Sequence, residues 1–202
     1  MFFCVGQGEY ELEIKRSRFI ASSYRIEGRD DVKGLIAALK ARHKDARHVC
    51  YGFIADEKGD DFGYDDNGEP SGTAGKPIYS ALSAVSARKS LIAVVRYFGG
   101  IKLGAGGLTR AYRESAAGLI DSVGLCECEY RTNYSVVCGG DAYKKFINSV
   151  RNLCSIERIE YAQNVDCVVS VSDDCEAEFV RAAHASGVIL TSLGAKCVPV
   201  DG

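Results

Sequence analysis

Residues 96–112, R-Y-F-G-G-I-K-L-G-A-G-G-L-T-R-A-Y, set five glycines beside Arg96, Lys102 and Arg110. The segment joins an unbroken apolar run, residues 91–95, to a stretch with helical apolar spacing. That order requires a central strand, a glycine loop and a helix in succession. Glycine lets backbone N–H groups approach a ligand and adopt positive φ. A helix start adds unpaired donors and partial positive charge. Together these describe a site for an anion.

The local charge supports this. From residue 70 to 113 there is no Asp or Glu, while Lys76, Arg88, Lys89, Arg96, Lys102, Arg110 and Arg113 are all cationic. Just before them, Asp56, Glu57, Asp60, Asp61, Asp65, Asp66 and Glu69 form an acidic block. The net charge of −2 hides this division. Two solvated faces of opposite sign are the simpler alternative, but here the cations come with glycine loops.

A length of 202 residues fits one large or two small domains, and 47% apolar with 26% charged residues fits a soluble globular chain. No apolar run approaches the ~18 residues of a membrane span. The start, M-F-F-C-V-G-Q-G-E, has neither a basic n-region nor a long h-region. A cytosolic location and no membrane partner are expected. The nine cysteines form no C-x-x-C pair and sit mostly in apolar contexts. They read as small buried hydrophobes in a reducing compartment. Structural zinc wants four convergent ligands, so no metal and no cofactor is expected.

Along the chain, residues 9–26 alternate as two strands turning at residues 15–18. Asp30 or Asp31 caps a helix with Val32, Leu35, Ile36 and Leu39 on one face. Residues 48–55 and 62–64 read as strands, and Pro77 suits the first turn of a helix. After strand 91–97 and the glycine loop, a helix is predicted from about Leu108 to Val123, with Gly124 at its C′ position. Beyond Glu129 the order is strand, helix, strand, strand, helix, strand, with Asp173 capping the second helix. This βαββαβ order is ferredoxin-like. Domains 1–129 and 130–202 are expected in an α+β protein.

Nucleotide-binding motifs fail. The P-loop fails because Gly75-Lys76 is followed by Pro77, with Pro70 where its first glycine belongs. G-x-G-x-x-G fails because Gly104 and Gly106 are followed by Thr109. A less specific phosphate cradle remains at 105–107. His48 and Cys50 can share one face of a strand, either as a nucleophile pair or as neighbours in a half-buried strand. Glu69 is the only acid at the edge of the basic region, and it orients an arginine or caps backbone donors instead of moving protons.

The sequences G-E-P-S-G-T-A-G-K-P (68–77), V-V-R-Y-F-G-G (94–100), L-G-A-G-G-L-T-R-A-Y (103–112) and H-V-C-Y (48–51) resemble the signature of the YigZ/IMPACT family. The resemblance covers roughly residues 10–125. Asn67 departs from it, where relatives often carry Asp. The resemblance implies an N-terminal α/β fold like the second domain of a small-subunit ribosomal protein. It implies a ferredoxin-like C-terminal domain similar to one of elongation factor G. Eukaryotic relatives are cytosolic regulators of translation that bind an activator of the starvation-sensing kinase. No enzymatic reaction comes with the bacterial branch.

A binding module for RNA, the ribosome or a translation-associated protein is therefore expected ahead of an enzyme. Its phosphate contacts would come from Lys76, Arg96, Lys102 and Arg110 and from the backbone of Gly99, Gly100, Gly104, Gly106 and Gly107. Ser71, Gly72 and Thr73 would supply the facing loop, and Tyr97 and Phe98 would stack on bases. The alternative is an enzyme on a phosphorylated or carboxylated small molecule, held between the two glycine loops with Glu69 or His48 moving protons. A third possibility is that the glycines serve only close helix–strand packing.

Overall fold

The computed structural model describes residues 2–200; Met1, Asp201 and Gly202, the outer ends of the two expected domains, lie outside the described residues. The chain is an α+β protein that divides into two compact units, residues 2–127 and Cys128 onward.

The first unit runs β1 (Phe2–Val5), β2 (Gly8–Ile14), β3 (Ser17–Arg25), α1 (Arg29–Arg42), β4 (His48–Ile54), β5 (Phe62–Asp65), α2 (Gly75–Ala84), β6 (Ser90–Tyr97) and α3 (Gly104–Val123). An antiparallel sheet in the order β2-β3-β6-β4-β5 is its centre. β6 lies in the middle, which explains its nearly unbroken apolar sequence. Strand alternation sorts its side chains into two cores. Ile92 and Val94 join Phe19, Cys50 and Ile54 with α2 and α3 residues. Leu91, Ala93 and Val95 join Ile20, Val49 and Phe53 with Val32, Ile36 and Leu39 of α1. Arg96, two residues beyond Val94, falls on the α2/α3 side.

Local boundaries follow from local chemistry. The β2–β3 turn is shorter than the sequence suggests. Only Lys15 and Arg16 turn, with φ of 47° and 64°, as a two-residue type I′ hairpin demands. α1 is not capped by Asp30 or Asp31. Gly28 holds the N-cap position, while Asp31 Oδ2 accepts the Glu27 N–H at 2.7 Å. Both acids sit in the first turn, where they complement the helix dipole. α3 starts four residues before the predicted Leu108. Gly104, at φ 71°, turns the chain directly into the helix, so Gly106 and Gly107 form its first turn. Gly124 ends it at φ 72°, its N–H donating to Ile120 O at 2.8 Å.

The second unit contains most of β7 (Leu125–Cys138), then α4 (Gly140–Val150), β8 (Cys154–Tyr161), β9 (Val165–Ser172), α5 (Asp173–Ala185) and β10 (Ile189–Pro199). Its strands pair antiparallel in the order β10-β7-β9-β8, the ferredoxin-like arrangement. Phe146, Val150, Phe179 and Ala183 of the helices pack on Val136, Val169 and Val171. Ser172, not Asp173, holds the α5 N-cap position; Asp173 is the first helical residue.

Candidate functional site

The turn-rich segment between β5 and α2 is organised by Asp66, a residue the sequence pattern does not single out. Its carboxylate accepts the N–H groups of Gly72 at 2.7 Å, Ala74 at 2.9 Å and Gly75 at 2.8 Å. Thr73 N–H and Oγ1–H both donate to the Pro70 carbonyl. The Gly72, Thr73, Ala74 and Gly75 N–H groups are thus spent on their own chain, and the start of α2 is capped from within. Gly72 and Thr73 do not form the second half of an anion cradle, and Ser71 is exposed and does not line the cavity beside Arg96.

Asn67 follows at φ 40° and donates from Nδ2 to Val49 O at 2.8 Å. An aspartate there has no such donor. The Asn67 carbonyl lies 2.9 Å from His48 Nδ1, so that nitrogen carries the proton. In the neutral ring, Nε2 is then the proton acceptor.

A chain of buried polar groups runs beneath. Arg96 Nη1 donates to Glu69 Oε1 at 2.6 Å, and the same oxygen accepts the Tyr112 hydroxyl at 2.9 Å. Cys50 Sγ lies 3.3 Å from that hydroxyl and 3.0 Å from the Asp66 carbonyl. Burial pushes the Cys50 thiol up to about 12, and burial beside Cys50 and Glu69 keeps the Tyr112 phenol protonated. A thiol so placed is not a nucleophile at neutral pH, so the Cys50–His48 pair is not one either. The Arg96 guanidinium also lies over the rings of Phe19 and Phe98, at 5.6 and 5.5 Å.

A cavity of about 300 Å³ opens beside this chain. His48, Glu69, Arg96, Phe98, Lys102 and Gly104 are among the residues that line it. Arg47 lines it too and is missed by sequence reasoning, since it lies before β4 with no glycine nearby. Two features give the cavity an appetite for negative charge. Among the described residues, Arg96 donates only through Nη1, and its buried Nε meets no acceptor. A buried unpaired donor costs ~1–3 kcal/mol until an acceptor arrives. Second, α3 opens here with no side-chain cap and no acid in its first turn.

Several other residues singled out in sequence fall elsewhere. Lys76 and Arg110 are exposed and do not line the cavity. Tyr97 lies on the α1 side of the sheet, its hydroxyl 2.9 Å from His43 Nδ1 and Arg18 over its ring. Gly99 N–H is taken by Ser17 Oγ at 3.2 Å, and a Cβ at Gly99 would sit 2.0 Å from the Arg16 backbone. Gly99 is therefore a packing glycine. Gly100 and Gly104 carry positive φ, whereas a Cβ at Gly106 meets nothing within 4 Å. Gly107 lies in the first turn of α3. No helix among the described residues is long and apolar enough to cross a membrane.

The chain is similar to known proteins. The family model described as the Impact N-terminal domain matches residues 15–120. An IMPACT family member of Haemophilus influenzae is 36% identical over 174 residues, covering 81% of each chain. The Bacillus subtilis family member YvyE is 34% identical over 160 residues, 79% of this chain and 74% of its own. Escherichia coli YigZ is 43% identical over 102 residues, half of each chain. A crystal structure described as that of a hypothetical protein matches with a TM-score of 0.65 and 27% identity, over 96% of this chain and 97% of that one.

Proposed function

The chain belongs to the IMPACT family, and from that premise we propose that it is a regulator of translation that binds RNA, seating a phosphate at the Arg96 cavity. The observation that carries this reading is the buried Arg96 guanidinium whose Nε has no partner, next to an uncapped helix start. Lys102, beside them, adds an exposed cation at the cavity wall. Phe98, half exposed, offers a face on which a base can stack. Arg110 extends the positive charge beyond the cavity.

Affinity for single-stranded RNA then falls steeply with salt. Replacing Lys102 and Arg110 by alanine flattens the log–log slope by about 1.4, two phosphate contacts at ~0.7 each. Binding that is absent at low salt, or insensitive to salt, contradicts the reading and turns attention to a protein partner.

A second reading, an enzyme on a phosphorylated or carboxylated small molecule, is favoured by one observation. His48 and Glu69 line the same cavity, and the His48 ring is oriented by the Asn67 carbonyl. His48→Gln separates the two. It leaves RNA affinity intact under the first reading and abolishes turnover of the small molecule under the second.

A further inference from the structure

The opposite face of the same sheet carries a larger cavity, of about 440 Å³, between α1 and the β4–β5 edge. Its volume is within the roughly 300–1,000 Å³ typical of small-ligand sites. It is distinct from the Arg96 cavity and shares no lining residue with it, although Asn67, which lines this one, also orients His48 of the other; strand alternation puts Tyr51 and Phe53 on the α1 side and Cys50 on the other.

The floor is aromatic and apolar. Tyr51 and Phe53 stack at 6.4 Å with 24° between their planes, beside Ile36. Arg29 lies over the Phe53 ring at 5.0 Å and is itself held by Asp61 and by the Phe62 carbonyl. That end of the platform is occupied. The Tyr51 end is not: among the described residues its hydroxyl meets no acceptor and no cation covers its ring. Burial and the nearby Asp65 carboxylate push its phenol up, so it remains a donor.

Two of the three wall cations, Lys33 and Lys40, lack a carboxylate partner among the described residues. Lys40 reaches only the amide oxygen of Asn67, at 3.5 Å. Asp65 is the one acid lining the cavity, and one of its oxygens already accepts the Asn67 N–H at 2.6 Å. With Arg29 neutralised by Asp61, two ammonium groups face one carboxylate, which leaves an excess of positive charge.

We propose that this cavity is a second ligand site, which takes a nucleoside monophosphate with its base on Tyr51 and its phosphate on Lys33 or Lys40. An inorganic anion would leave the aromatic floor wet, and an uncharged ring would leave the lysines unpaired. A ligand with both a flat ring and a phosphate satisfies both. The two lysines are seven residues apart on one helix, about 10 Å along its axis. A mononucleotide lying on Tyr51 therefore meets one of them in either orientation. A free nucleotide and the end of an RNA strand offer the same chemistry.

Amide chemical-shift mapping of the full chain tests this, with AMP, adenosine, inorganic phosphate and a short oligo(A) added separately. AMP is expected to move the amides around Lys33, Lys40 and Tyr51, with at least tenfold weaker responses to adenosine and to phosphate alone. Lys33→Ser with Lys40→Ser, both at exposed positions, weakens AMP binding tenfold or more while leaving the spectrum dispersed. Oligo(A) binding tenfold tighter than AMP assigns the site to a strand end; equal affinity assigns it to the free nucleotide. No shift at these amides with either ligand, or shifts that survive the double substitution unchanged, overturns the proposal. Shifts confined to the Arg96 cavity overturn it as well, without touching the RNA reading.

Discussion

Arg96 Nη1 and Glu69 Oε1 lie 2.6 Å apart, with side chains 7% and 4% exposed. Twenty-seven residues separate them in sequence, and the pair joins the central strand to the turn that precedes α2. A buried pair contributes less as a pair than its loss costs, because removing one partner strands the other's charge. Glu69→Gln is therefore expected to destabilise the fold by ~3–5 kcal/mol. Replacing both residues by methionine should cost much less than either change alone, which urea denaturation of the two singles and the double can measure.

Gly99 and Gly106 predict opposite outcomes. A Cβ at Gly99 collides with the Arg16 backbone at 2.0 Å, so Gly99→Ala should cost ~1–3 kcal/mol or shift the β2–β3 turn. A Cβ at Gly106 meets open space in a helix, so Gly106→Ala should stabilise by ~0.5–1 kcal/mol. Thermal melts decide both. If Gly106→Ala unfolds the protein, that glycine serves packing after all.

Much of this was readable in the chain. The order of strands and helices, the glycine that ends α3, and the βαββαβ unit all follow from period and punctuation. His48, Glu69 and Arg96, each named from sequence, line one cavity. The failures have a common cause. β1 is four residues long and carries too little pattern to announce itself. Helix propensity places Gly104 to Gly107 in a loop, and tertiary context overrides it. The burial of Arg96 and the capping role of Asp66 depend on partners distant in sequence, which spacing alone does not reveal.

Asp66 gives a prediction of its own. Its carboxylate holds three backbone N–H groups. In Asp66→Ala, amide exchange at Gly72, Ala74 and Gly75 should accelerate together while β6 stays protected. Unchanged exchange at those three amides would mean that the loop is held by other contacts.

Cys50 should be chemically silent. Its thiol is buried and pushed up to about 12, against an unfolded value of ~8.5. The folded state then keeps a proton that the unfolded state releases as pH rises above that value. The contribution to stability is full below it and declines towards pH 12. Cys50→Ala should flatten this alkaline loss. Under native conditions at neutral pH, a maleimide should label the half-buried Cys175 well before Cys50. Early labelling of Cys50 contradicts the packing around Tyr112.

Whether the Arg96 cavity receives a phosphate can be read from nitrogen-resolved NMR of the arginine side chains. On titration with a short single-stranded RNA at low salt, the Arg96 guanidinium signals and the amides of Gly104 to Gly107 should shift saturably, then return as salt is added. RNA that binds while those signals stay in place would show that the cavity is not where the phosphate sits.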